Sequence, residues 1–314
     1  MSPHNNIKTK DIYNCLIGNT SVVEMNRLFT ILLLSFYAFC CQAQQKYALI
    51  IAIANYPEES GWNSIHSNND LQLLLPQFKR LNFQIDSLTD EQATKKNILQ
   101  ALQRLIKQLK SGDNVCLHFS CHGQQMEDDN GDEADGLDEA LIPYDARLTY
   151  QKEVYEGKNH LRDDELEKLL ISIRQKTGPN GSVLVTFDAC HSGTANRTEE
   201  YVEDNDAPIR GTNVIFTSNP FYITPDAKQH IERKTRLTQQ NGLSPICIIS
   251  ACQPFQRNFE IKIGNEYYGI LSYSFYSVLK KIKKWDKTCF PRIWEQSQSL
   301  SSKQIPMIES SYAL

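Results

Sequence analysis

Five short runs of β-branched and aromatic residues, at 47–54, 83–88, 114–120, 182–188 and 246–251, constrain the fold of this chain more than any other feature. Each is apolar at consecutive positions rather than alternate ones, so both faces must be covered, as in the middle of a parallel sheet. Between the runs the apolar period lengthens to that of a helix. Leu71, Leu74, Leu75 and Phe78 share one stripe of 70–81, and Ile98, Leu102, Leu105 and Leu109 share one of 94–109, with Thr94 placed to cap it. Similar stripes occupy 163–173 and 270–282. Strands alternating with helices imply right-handed crossovers, hence an α/β three-layer sandwich with a mostly parallel central sheet.

The charge balance, 33 Lys+Arg against 37 Asp+Glu for a net −4, provides no basic field, so nucleic acid is not an expected partner. Nine cysteines in 314 residues are too dilute for a stapled scaffold, and no Cys-x-x-Cys pair suggests a zinc ribbon. Cys116 and Cys121, five apart in one strand, lie on opposite faces and cannot bridge each other; Cys247 and Cys252 are in the same position. Residues 28–45 carry no charge and follow Arg27. The apolar part, 28–41, is short for a membrane span and reads as a signal-peptide core, with cleavage near Ala43. Residues 1–43 are therefore assigned to a signal peptide or upstream segment, with Met25 as an alternative start. A secreted or periplasmic location is expected. The location is cytoplasmic if the segment is not used, and membrane contact is expected only through an uncleaved one.

Ligands of an open α/β sheet gather beyond the carboxyl ends of its strands. Two of the apolar runs end in reactive side chains, the third in Ser120-Cys121-His122-Gly123 and the fourth in Asp188-Ala189-Cys190-His191-Ser192-Gly193. If these strands are neighbours, one thiol and one imidazole face a common rim, which is the minimum equipment for thiol acyl transfer. Cys190 is then the nucleophile, His122 the base and acid, and the amides of Gly123 and Cys190 a candidate oxyanion hole. His191 points away from its neighbour and is read as structural; His118, inside a strand, is read as a core residue. The stretch 127–139 holds eight acids and no base, which reads as a solvated loop. An EF-hand register through Asp128, Asn130, Asp132 and Glu139 fails because Glu133 stands where glycine is needed.

These motifs make the chain resemble the caspase-fold cysteine peptidases, in their metacaspase-like branch. The resemblance rests on Phe119-Ser120-Cys121-His122-Gly123, on Asp188 to Gly193, on Ala54-Asn55-Tyr56 with Asn69-Asp70, on Asp135 to Pro143, and on Leu161 to Leu166. One departure is Cys121, where the family has glycine; its side chain is expected to face away from the cleft, and a disulfide to Cys190 is not expected. The resemblance implies a peptidase domain over 46–290, with a larger part 46–193, a linker loop 194–240, a smaller part 241–290 and a C-terminal tail 291–314. It implies cleavage after Arg or Lys, with Asp70, Ser120 and Asp188 binding the basic side chain, and self-processing in the linker after Arg210, Arg233, Lys234 or Arg236. No cofactor is required for the chemistry. Calcium is implied as an activator, held by Asp163, Asp164 and Asp138, although Arg197 stands where the family has a further acid. The expected partners are protein or peptide substrates, and the chain is expected to be a monomer. The alternative from another class is a catalytically silent domain that binds peptides or calcium as an adaptor.

Overall fold

The structure, a computed structural model, describes residues 24, 26–30, 44–131, 133, 136–190, 207–219, 221–222, 233–254 and 256–314. The chain divides into two units, Met1–Gln44 and Gln45–Leu314. In the first, residues 26–30 are helical; most of the expected signal core and the cleavage point at Ala43 lie outside the described residues. No described helix is long and apolar enough to cross a membrane.

The second unit runs β1 (Lys46–Ala52), α1 (Ser67–Arg80), β2 (Gln84–Thr89), α2 (Lys95–Gln108), β3 (Asn114–Ser120), β4 (Gly123–Glu127), β5 (Leu137–Leu141), β6 (Leu161–Arg162), α3 (Asp163–Thr177) and β7 (Ser182–Asp188). It continues with β8 (Lys234–Arg236), β9 (Ile246–Ser250), β10 (Glu260–Ile263), β11 (Glu266–Gly269), α4 (Ile270–Leu279), α5 (Cys289–Leu300) and β12 (Met307–Ser310). The five apolar runs of the sequence become β1, β2, β3, β7 and β9, all parallel, in a seven-stranded sheet of order β2-β1-β3-β7-β9-β12-β8. Strands β4, β5 and β6 form a side sheet, and β10 and β11 a hairpin.

Alternation along the strands sorts the core into two layers. Leu49, Ile51, Leu117, Phe119, Val183 and Val185 pack with α2 and α3, whereas Ala48, Ile50, Cys116, Leu184, Cys247 and Ile249 pack with α1, α4 and α5. The caps follow the sequence: the Thr94 side chain accepts from the Asn97 amide at the start of α2. None of the six described cysteines of this unit forms a disulfide.

Two boundaries differ from expectation. The stretch assigned to a C-terminal tail, 291–314, instead supplies most of α5 and an interior strand next to the sheet edge: β12 pairs antiparallel with β9 and parallel with β8. Its apolar residues are few and scattered, so no periodic signal marks it. Nor is the stretch 194–240 a surface loop in its described part, because Arg210 and Phe216 are buried and β8 lies at the edge of the main sheet.

Candidate active site

The same alternation decides what the ends of β3 and β7 present. His118 and Ser120, and likewise Thr186 and Asp188, lie on the face shared with α1 and α4, while Cys121 packs into the opposite core with Phe119 and Met126. Burial there pushes the Cys121 thiol up to about 12, so it is an inert packing residue. Ser120 and Asp188 are partners across the ladder, so the two strands end level and His122 and Cys190 each follow two residues on.

An acidic pocket forms beneath them. Asp70, in the first turn of α1, accepts from Ser120 Oγ at 2.8 Å and from the Gly269 amide at 3.0 Å. Asp188 accepts from Asn258 Nδ2 at 2.8 Å, and from both the amide and the hydroxyl of Ser272 at 2.7 and 2.6 Å. Ser272 lies in the first turn of α4, so the positive end of that helix also faces the carboxylate. His118 backs the cluster, bonded to Thr186 Oγ1 and Ser272 Oγ.

The pocket is filled by the chain itself. Arg210, fully buried, places Nη1 2.8 Å from Asp70 Oδ2, 2.8 Å from Ser120 Oγ and 3.7 Å from Asp188 Oδ2. Its Nε and Nη2 both reach Glu260 Oε1, at 3.0 and 2.9 Å. Burial pushes the Asp70 carboxyl up to about 6 in spite of this guanidinium. Burial acts the same way on Asp188, but Arg210, Asn258 and Ser272 together outweigh it and hold that carboxyl below its ordinary value.

The backbone around Arg210 is extended and paired. Its amide donates to Asn258 O at 2.9 Å, the Glu260 amide donates to Pro208 O at 2.9 Å, and Ile209 bridges antiparallel to Phe259. Segment 208–210 is thus an added strand on 258–260. The Arg210 carbonyl accepts from the Cys190 amide at 2.8 Å. Gly211 follows so closely that a Cβ there would stand 2.7 Å from Cys190 Cβ, 2.6 Å from Cys190 O and 3.1 Å from Gly123 O, which only glycine tolerates.

The Cys190 thiol donates to Gln256 O at 2.8 Å. His122 is stacked on Trp62, centroids 4.8 Å apart, and tilted against Tyr56 at 5.1 Å. Its Nε2 bonds the Asn63 carbonyl at 2.8 Å; a carbonyl only accepts, so the proton sits on Nε2 and the lone pair on Nδ1. That Nδ1 is buried with no hydrogen-bond partner among the described residues. Burial draws the His122 imidazole down to about 4, against the opposing pull of the Asn63 carbonyl, which leaves it neutral near pH 7.

The family model described as "Caspase domain" matches residues 45–313. The chain belongs to the caspase-domain peptidase family. It is 28% identical over 226 residues to a metacaspase-1B of Neosartorya fischeri, covering 63% of this chain and 51% of that protein. It is 38% identical over 114 residues to a metacaspase-1 of Botryotinia fuckeliana, covering 34% and 24%. The matched region spans about half or less of the length of these relatives. The fold is similar to that of a solved Geobacter sulfurreducens protein, with TM-score 0.57 and 21% identity over 86% of this chain and 94% of that one.

Within this caspase-domain chain, two of the acids expected to hold calcium, Asp163 and Asp164, line one cavity, and Asp138 is not among its lining residues. Asp138 is buried and pairs with the Arg162 guanidinium. Asp163 and Asp164 line a cavity of about 400 Å³ with Glu139, and Asp164 accepts from Asn130 Nδ2 at 2.6 Å. Among the described residues, no three His, Cys, Asp or Glu side chains are placed to hold a metal ion. His191 to Gly193 and Arg197 lie outside the described residues. Sequence reasoning missed Glu260, Asn258, Trp62 and Asn63, which come from short loops and a hairpin with no periodic or motif signal.

Proposed function

We propose that this chain is a cysteine endopeptidase that hydrolyses peptide bonds after Arg or Lys through Cys190 and His122, and that it processes itself at the Arg210–Gly211 bond. One observation carries the reading: the Arg210 side chain fills the acidic pocket while its own carbonyl rests on the Cys190 amide, 2.8 Å away. Such a placement suits a residue before the scissile bond, with Cys190 beside its carbonyl.

The reaction follows from the groups present. In this reading the thiol turns about Cα–Cβ away from Gln256 O and gives its proton to the lone pair on His122 Nδ1, which has no hydrogen-bond partner among the described residues. The thiolate forms an S–C bond to the carbonyl carbon, and the growing charge on oxygen is held by the Cys190 amide. The C–N bond breaks as His122 returns the proton to the departing Gly211 amine, and water then releases the acyl group by the same steps in reverse order. The neutral state of His122 suits it to take the first proton. The stacking of Trp62, together with Tyr56 Oη accepting from the His122 amide at 3.1 Å, keeps the ring in place. No metal enters these steps.

Fluorogenic peptides ending in Arg, Lys or Asp test the reading on wild type beside Cys190→Ala. Turnover of the Arg and Lys peptides that disappears in the variant is the expected result. Cleavage after Asp, or turnover unaffected by the substitution, contradicts it. Absence of turnover in wild type favours the adaptor reading.

A further inference from the structure

We infer that Glu260 is a specificity-determining residue that makes this pocket select arginine over lysine; the inference rests on the peptidase reading above and deepens it. The three acids around Arg210 do different jobs. Asp70, Ser120 and Asp188 all address Nη1, one end of the guanidinium. An ammonium placed at that point would find much the same partners. Glu260 alone takes the side edge, receiving both Nε and Nη2 on Oε1 at 3.0 and 2.9 Å. Lysine has no donor at either position: a methylene stands where arginine has Nε, nothing stands in for Nη2, and its charge is a single point at the end of an aliphatic stem. With lysine bound, the buried Glu260 side chain would lose both substrate donors and be left with His66 alone, a costly state for a carboxylate out of water.

Glu260 is held to this task from the other side. Its Oε1 accepts from the His66 amide at 2.8 Å, and its Oε2 lies 2.5 Å from His66 Nδ1. His66, at the start of α1 and half-exposed, stacks on Tyr267 of β11 with centroids 5.1 Å apart. His66 is thus a positioning residue for the carboxylate. The backbone of Glu260 also pairs with Pro208, so the residue that reads the guanidinium is fixed to the strand that carries it.

The test compares kcat/KM for matched Arg and Lys peptides in wild type and in Glu260→Gln, a near-isosteric change that can still accept from the His66 amide. Wild type should prefer Arg at least tenfold. In the variant the Arg value should fall at least tenfold and the Lys value less than threefold. Equal losses for both peptides, or a wild type indifferent to the choice, would overturn the assignment. If wild type cleaves neither peptide, the peptidase reading itself fails, and the assignment with it. A second measurement does not depend on added substrate: the rate of self-cleavage in wild type, Arg210→Lys, Glu260→Gln and the double variant. Arg210→Lys should slow cleavage about tenfold when Glu260 is present and little in the Glu260→Gln background. The same slowing in both backgrounds would show that Glu260 does not read the side chain.

Discussion

At the scale of single residues, the site is a set of buried charges made tolerable by one another. Asp70, Asp188 and Glu260 are each almost wholly buried, and each is answered by Arg210 and by a backbone amide: Gly269, Ser272 and His66 respectively. A charge cluster of this kind is tolerated only when every lone pair has a donor. Gly269 closes one wall so tightly that a Cβ would collide with both Asp188 Oδ2 and Arg210 Nη1. Gly269→Ala should therefore reduce kcat/KM for an Arg peptide by about 100-fold, roughly 2.7 kcal/mol of lost transition-state binding. Steady-state kinetics on the variant checks this, and an unchanged value would mean that the pocket is wider than described.

At the scale of elements, what was legible in the sequence divides along a physical line. The five parallel strands were readable because both faces are covered and the residues are apolar throughout, α1 to α3 because each buries one stripe, and α4 because it is apolar and buried around most of its surface. His122, Cys190, Asp70, Ser120 and Asp188 stand at the ends of such elements or in the first turn of one, and sequence motifs mark them. Glu260 does not: it lies in a four-residue strand of a hairpin, and its contact with His66 joins positions 194 apart. Likewise α5 and β12 carry too few apolar residues in sequence order to betray their burial, yet Phe290, Ile293 and Ile308 are fully enclosed and Trp294 nearly so. At about 1.5–3 kcal/mol for each buried side chain, these four alone approach the whole stability of an ordinary domain. Ending the chain at residue 288 should thus yield insoluble or unfolded protein. A soluble product with a native-like circular dichroism spectrum and a cooperative thermal transition would contradict the place of α5 and β12 in the core.

At the scale of the whole molecule, three buried histidines give the fold a pH dependence of definite sign. Burial holds His118 and His122 down to about 4 and His160 to about 3, against 6.5 for the ordinary side chain. Between those values the unfolded chain binds protons that the folded one refuses, so stability fully present above pH 6.5 is lost as pH falls towards 4. Asp70 works the other way, since burial raises it from 3.8 to about 6 and the folded chain there holds a proton that the unfolded one releases. Three groups outweigh one. Stability should fall by roughly 2–3 kcal/mol per pH unit near pH 5, seen as a lower Tm at pH 4.5 than at 7.5; a Tm unchanged or raised by acid would contradict it.

On the proposed reading, one segment is both guard and substrate. On that reading, segment 208–211 occupies the cleft that a substrate peptide would use, and cutting the bond after Arg210 would release the chain that follows from the Cys190 rim. The most direct measurement is intact-mass and N-terminal analysis of the purified chain, wild type beside Cys190→Ala, during incubation at neutral pH. A new terminus beginning at Gly211, formed in wild type and absent from the variant, is the predicted result. A wild type that stays whole, a cut at another bond, or the same cut in both proteins would contradict the account.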